Sequence, residues 1–283
     1  MKPANHLIIA LLGIVTAFSS CKKDDSNNST TDPAVEATYE LTGDNAISDY
    51  MTEEDNDLLM DVTADQNLQG NGFGPGSPQT DNLIPCATVT VTPQTGFPKT
   101  ILIVFDSTCT SPRGLIRKGT VRIVISDSIR KPGSTAVMTF ENYFVNGFKR
   151  EATTTWTNTS LPPVKSWERK VENGKITAPS GMYWLHQSIK TVTQTAGSST
   201  PARLDDIFSI AGNGSVTNMN NVTRTATIIE PLQKKFTCAN IDKGKVRFES
   251  PNHTAVLDYG NGDCDRIATI SIDGRPPRTI ILR

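Results

Sequence analysis

The sequence predicts an all-β protein: a large antiparallel meander or sandwich of about a dozen strands, preceded by one short N-terminal helix. Three observations predict it. From residue 83 onward short runs alternate apolar with polar or Thr residues, the period of a half-buried strand. The dipeptides Asn146-Gly147, Asn173-Gly174 and Asp273-Gly274 offer the positive-φ turns that join paired strands. Thr is abundant there, and Ala-rich helical segments are missing.

The chain opens on a stretch, residues 1–20, that reads as a removable export signal. Lys2 supplies its positive start, and Leu7-Ile8-Ile9-Ala10-Leu11-Leu12-Gly13-Ile14-Val15 an apolar core too short to span a bilayer. Ala17-Phe18-Ser19-Ser20-Cys21 resembles a bacterial lipobox, with Phe18 where Leu is usual. The resemblance makes Cys21 the acylated N-terminus of the mature protein. Cys21-Lys22-Lys23-Asp24-Asp25 resembles the surface-export signal of Bacteroidetes lipoproteins. The expected address is therefore the outer membrane, lipid-anchored and surface-exposed, with a periplasm-facing anchor as second choice. More than one acyl chain, at about 0.8 kcal/mol per buried CH₂, would hold the protein firmly.

Removing 20 of 283 residues leaves 263, and the net charge of −1 becomes −2 when Lys2 leaves with the signal. No basic stripe interleaves with aromatics, which argues against nucleic acid as a partner. No second apolar run is long enough for a transmembrane helix, so membrane contact is expected through lipid alone.

Residues 21–43 read as a flexible tether, Ser/Thr/Asn/Asp-rich at first, with a short strand at Tyr39-Glu40-Leu41. Residues 44–82 hold the helix and a linker. Ile47, Met51, Leu58 and Val62 share one face at helical spacing from Asn45 to about Gln66. Asp49, Glu53, Glu54, Asp55 and Asp57 are expected on a solvated face, since they lack the spacing of an EF-hand loop. The Gly/Pro-rich stretch up to Asn82 is the linker.

Residues 83–283 form the β domain. Thr88 to Thr92 alternates Thr with Val, while Ile101-Leu102-Ile103-Val104-Phe105 is apolar throughout. The runs Ala136–Val145 and Phe148–Trp156 flank one turn dipeptide; Lys165–Glu172 and the run from Lys175 flank the next. Segments 207–211, 223–229, 246–248, 256–257, 268–272 and 279–282 continue the pattern. Lys118-Gly119-Thr120-Val121-Arg122 echoes Lys243-Gly244-Lys245-Val246-Arg247, without establishing a duplication.

With Cys21 given to lipid, Cys86, Cys109, Cys238 and Cys264 remain, an even number in an oxidising compartment. Of the three connectivities, Cys86–Cys109 and Cys238–Cys264 are expected, because each would close a local hairpin. Zinc is the rival, and no CxxC spacing or neighbouring histidine supports it.

Several of these stretches together resemble a family of Bacteroidetes surface lipoproteins. They are Cys86-Ala-Thr-Val-Thr-Val, Phe105-Asp106-Ser107-Thr108-Cys109, Arg117-Lys118-Gly119, Phe140-Glu141-Asn142-Tyr143-Phe144-Val145-Asn146-Gly147 and Leu257-Asp258-Tyr259-Gly260-Asn261-Gly262-Asp263-Cys264-Asp265. The resemblance covers residues 83–283 and implies location, β class and paired cysteines. It implies no activity and no catalytic residues.

Chemistry is sparse. Beyond the signal the only histidines are His186 and His253, and no GxSxG, HExxH or P-loop sequence occurs. No cofactor is implied. Asp205, Asp206 and Glu168 are the carboxylates a glycan hydrolase could use. Asp258, Asn261, Asp263 and Asp265 offer hard oxygen ligands, a weak calcium candidate with no established spacing. Trp156, Trp167 and Trp184, with Tyr143 and Tyr183, could stack on sugar rings if exposed, although strand aromatics more often pack inward. The expected function is a non-enzymatic binding or structural role at the cell envelope, with polysaccharide or an envelope protein as partner. A secreted-type glycan hydrolase and an assembly component of a surface complex are the alternatives.

Overall fold

A computed structural model describes residues 32–68, 86–111, 114–200 and 204–282, the side chains of 107 and 108 excepted. The signal, the lipobox, Cys21 and most of the Gly/Pro-rich linker lie outside the described residues. One helix, α1 (Pro33–Asp65), precedes the strands β1 (Ala87–Thr92), β2 (Lys99–Thr110), β3 (Ile116–Ile125) and β4 (Thr135–Val145). Then come β5 (Phe148–Asn158), β6 (Ser166–Thr177), β7 (Tyr183–Ala196), β8 (Ile207–Asn218) and β9 (Thr223–Lys235). The chain ends on β10 (Lys243–Glu249), β11 (Thr254–Asn261), β12 (Ile267–Ile272) and β13 (Arg278–Ile281). They form one sheet in strict chain order, each strand antiparallel to the next, so the all-β meander with a single helix is the fold. β1 and β13 end the order and do not pair with each other.

The sheet wraps the helix. From Ser48 to Leu59 every helical residue is buried, and six consecutive residues, Thr52 to Asp57, cover all faces of a helix. The burial comes from inward-facing side chains of strands as far apart as β3, through Arg117 on Glu54, and β11, through Tyr259 on Asp49. Bulges make such curvature: the register shifts in β2 through β10, each shift bending its strand and raising the local twist. The two Lys-Gly echoes are both bulges. Gly119 and Gly244 take φ of 97° and 104°, and a Cβ there would lie 2.0 Å from the Asn142 carbonyl oxygen and 2.4 Å from that of Pro231.

Three expectations change. The helix starts at Pro33, so residues 33–43, expected in the tether, are helical, Tyr39-Glu40-Leu41 among them. Asp32 caps it, its Oδ1 accepting the Ala34 N–H at 2.9 Å, and Pro33 occupies the first turn, where no N–H is needed. Asn173-Gly174 is not a hairpin: it is a bulge inside a continuous β6, where Gly174 lets the His186 backbone come close. Asn146-Gly147 and Asp273-Gly274 do turn the chain, between β4 and β5 and between β12 and β13. The acidic residues of the helix are buried rather than solvated, for a reason that lies in the sheet.

Candidate binding groove

The helix carries ten carboxylates and no basic residue. Its enclosed half would be untenable without cations, because an unpaired buried charge costs several kcal/mol. The strands supply them at inward positions. Arg117 Nη2 donates to Glu54 at 2.6 Å and its Nη1 to the Tyr143 hydroxyl at 2.5 Å. Arg150 holds Asp55 through Nε and Nη2, at 3.1 and 3.0 Å. Arg169 reaches Glu53 at 2.6 Å, Lys190 reaches Asp49 at 2.5 Å, and Lys234 lies 3.9 Å from Asp57. The hydroxyl of Tyr259 donates to Asp49, and the Trp184 indole N–H to Ser48.

Burial marks these groups electrostatically. It pushes the Asp55 carboxyl up against the pull of Arg150, and raises Tyr143 to about 12. Burial, with Arg150 and Lys190 beside it, holds His186 well below the usual imidazole range, so it is neutral and meets Arg150 through Nε2 at 2.5 Å. The arrangement is a matched set of ion pairs that fixes the helix within the sheet.

The aromatic candidates belong to the same interior. Trp156 is 1% exposed, Trp167 6%, Trp184 4% and Tyr143 0%, so none presents a face to a sugar. They share strand parity with the residues that face α1, which is the physical reason. Tyr183 is half-buried, with Lys175 Nζ 4.4 Å above its ring. The proposed stacking row is therefore corrected to core packing at four of its five positions. Nor do the proposed carboxylates converge: Glu168 faces outward between inward Trp167 and Arg169, while Asp206 is buried and held by Gln194 at 2.6 Å.

The calcium candidate dissolves into turn chemistry. Asp258 accepts the Gly260 N–H and Asp265 the Ile267 N–H, both within two residues. Asp258, Asp263 and Asp265 do not come within 4.8 Å of one another; among the described residues only Cys238, Asp242 and Cys264 do so. Those two sulfurs are bonded to each other. Both expected pairings occur, Cys86–Cys109 with Cα atoms 5.3 Å apart and Cys238–Cys264 at 5.1 Å. The first closes the β1–β2 hairpin. The second instead ties the β9–β10 loop to the β11–β12 loop, clamping the ends of two neighbouring hairpins.

What the sequence did not announce is a groove of about 1000 Å³ at the N-terminal half of α1. One wall is helical: Glu36, Glu40, Asp44 and Ile47, repeating at three or four residues so that they share a face. The opposite wall presents Val222, Ile280 and Ile281 over the buried Ile270 and Leu282, with Asn218, Asn220 and Arg266 beside them. The Tyr39 hydroxyl donates to the Ile270 carbonyl at 2.7 Å, fixing the helix against β12. Arg278 lies 4.3 Å over the Tyr39 ring and 3.3 Å from Glu36. Glu36 is thus paired. Among the described residues Glu40 and Asp44 have no hydrogen bond or ion pair to their carboxylates, and burial, with Glu40 one turn away, pushes Asp44 up to about 7. A half-buried acid with no partner is a costly feature on a helix whose Asp49, Glu53, Glu54 and Asp55 each meet a cation.

No family model matches the chain, and it matches no curated protein and no solved structure. Its class is therefore defined by its own architecture: an open antiparallel meander wound around a buried polyanionic helix, with one acid-walled apolar groove beside that helix. No described helix is long and apolar enough to cross a membrane.

Proposed function

We propose that the chain is a lipid-anchored, non-enzymatic binding protein of the outer cell surface, and that the groove beside the first half of α1 is its binding site. The groove carries the reading. Its volume is that of sites which enclose small organic ligands, and its mix of an apolar wall with a few polar groups is typical of them. The lipobox and the Lys-Lys-Asp-Asp stretch support the anchor and the address.

Gly43 provides the test. It lines the groove, and a Cβ added there meets nothing within 4 Å. Gly43→Leu should gain about 1 kcal/mol of helix propensity while filling the cavity. Titration of acyl-free protein (residues 22–283) with the neutral fluorophore N-phenyl-1-naphthylamine should show one site, weakened about tenfold or more by Gly43→Leu with no loss of melting temperature. Undiminished binding by that variant would place the site elsewhere.

A glycan hydrolase is the second reading, favoured by one observation: Glu40 and Asp44 stand one turn apart in the groove, and burial with Glu40 nearby raises Asp44 to about 7, the range of a general acid. New reducing ends released from a polysaccharide panel, and abolished by Asp44→Asn, would establish it in place of the binding role.

A further inference from the structure

The groove has an electrostatic sign, and the sign selects a ligand. Its titratable lining from the helix is Glu36, Tyr39, Glu40 and Asp44; from the sheet side Arg266 is, among the described residues, the charged lining residue, with Asn218 and Asn220 neutral. The cations nearby are committed. Arg266 donates through Nε to the Leu282 carbonyl at 3.0 Å, and Arg278 is held between Glu36 and the Tyr39 ring. Glu40 and Asp44 are left as acceptors facing an apolar wall. Elsewhere the same helix shows what its carboxylates require: Glu53, Glu54, Asp55 and Asp49 each meet a guanidinium or ammonium.

We infer that the groove takes an amphiphilic organic cation, its ammonium head between Glu40 and Asp44 and its apolar body along Val222, Ile280 and Ile281. The inference rests on the groove being the binding site and adds the chemistry of its occupant. The ammonium supplies at the groove what Lys190 supplies to Asp49 in the core, a donor for a carboxylate that has lost part of its hydration. An uncharged amphiphile would gain the apolar contact alone, and an anionic one would meet two unpaired acids. The occupant also carries a pH dependence. The ionised form of Asp44 holds the cation, and the group titrates at about 7, with burial and Glu40 on its own helix opposing ionisation; Arg266, the charged residue lining the groove from the sheet, donates to the Leu282 carbonyl. Binding therefore strengthens from pH 5.5 to pH 8.

Displacement of N-phenyl-1-naphthylamine from acyl-free protein by dodecylammonium, dodecanol and dodecyl sulfate, each below its micelle concentration, isolates the head group. At pH 8 dodecylammonium should displace the probe at about tenfold lower concentration than dodecanol, the size of a charge-assisted hydrogen bond, with dodecyl sulfate weakest. At pH 5.5 the advantage should shrink. The double variant Glu40→Gln/Asp44→Asn should lose both the head-group preference and its pH dependence, so that dodecylammonium and dodecanol displace the probe at similar concentrations at both pH values. An unchanged order in that variant, or dodecyl sulfate as the best competitor, overturns the inference while leaving the groove as the site. Probe binding that Gly43→Leu does not weaken removes the site itself, and the inference with it.

Discussion

Asp44 and Asp55 are both carboxylates of α1 whose protons are held more tightly than usual, yet they predict opposite things on substitution. Among the described residues Asp44 has no partner, and its pKa of about 7 lies above the unfolded value of 3.8. The folded state therefore binds the extra proton between those values, and the group's contribution worsens as pH rises from about 4 to 7 and stays unfavourable above. Asp44→Asn should stabilise the protein at pH 8 by on the order of 2 kcal/mol, after allowance for partial exposure, and leave it unchanged at pH 3. Urea melts at the two pH values check this. Asp55 is bound by Arg150 through two hydrogen bonds. Arg150→Met strands that carboxylate in the core and should cost about 3–5 kcal/mol, much of it recovered by adding Asp55→Leu, as a double-mutant cycle would show. His186, depressed by burial, works at the other limb: the unfolded chain takes up its proton below about pH 6.5, so stability falls as pH drops through that value. The interior cations were legible in principle. Arg150 shares parity with Phe148 and Trp156, and Arg169 with Trp167 and Val171, so each stood on an apolar face asking for an acid. The unpaired state of Asp44 was not legible, because it depends on what β12 and β13 bring opposite.

At the scale of elements, the strand pattern and most turns were readable because they are local. Alternation marked β1, β3 and β5, and the positive-φ residues Asn146 and Asp273 sit where turn chemistry placed them. Bulges defeated the same rule. Asn173-Gly174 has the composition of a tight turn, yet β5 and β7 on either side hold β6 as one strand. The helix start was readable too, in Asp32-Pro33, but the polar composition of the preceding residues masked it. Gly119→Ala and Gly244→Ala test the bulge reading. Each forces a Cβ into a neighbouring backbone at positive φ, and each should cost about 1–3 kcal/mol or more, read as a fall in the denaturant midpoint. Alanine at Gly43, which is helical and open, should do the opposite.

The whole molecule is a sheet with a charged axis. Sequence composition could not reveal this, since an acidic run far from its cationic partners looks the same as a solvated one; Glu53 and Arg169 are separated by 116 residues. Enclosure makes a prediction at this scale. Amide protons from Ser48 to Leu59 should exchange only by global unfolding, and those of the first turns beside the groove much faster, as native-state hydrogen exchange would resolve. Enclosure also sets an order of events. The helix is made before any strand, and its contacts run to Tyr259 and Ile270, more than 200 residues later. Until the strands arrive it must wait in water, and its ten carboxylates are what allow it to wait without sticking to anything. Such long loops close slowly. The charge that looks extravagant in the finished interior thus acts earliest, keeping the first-made segment soluble until the strands can enclose it.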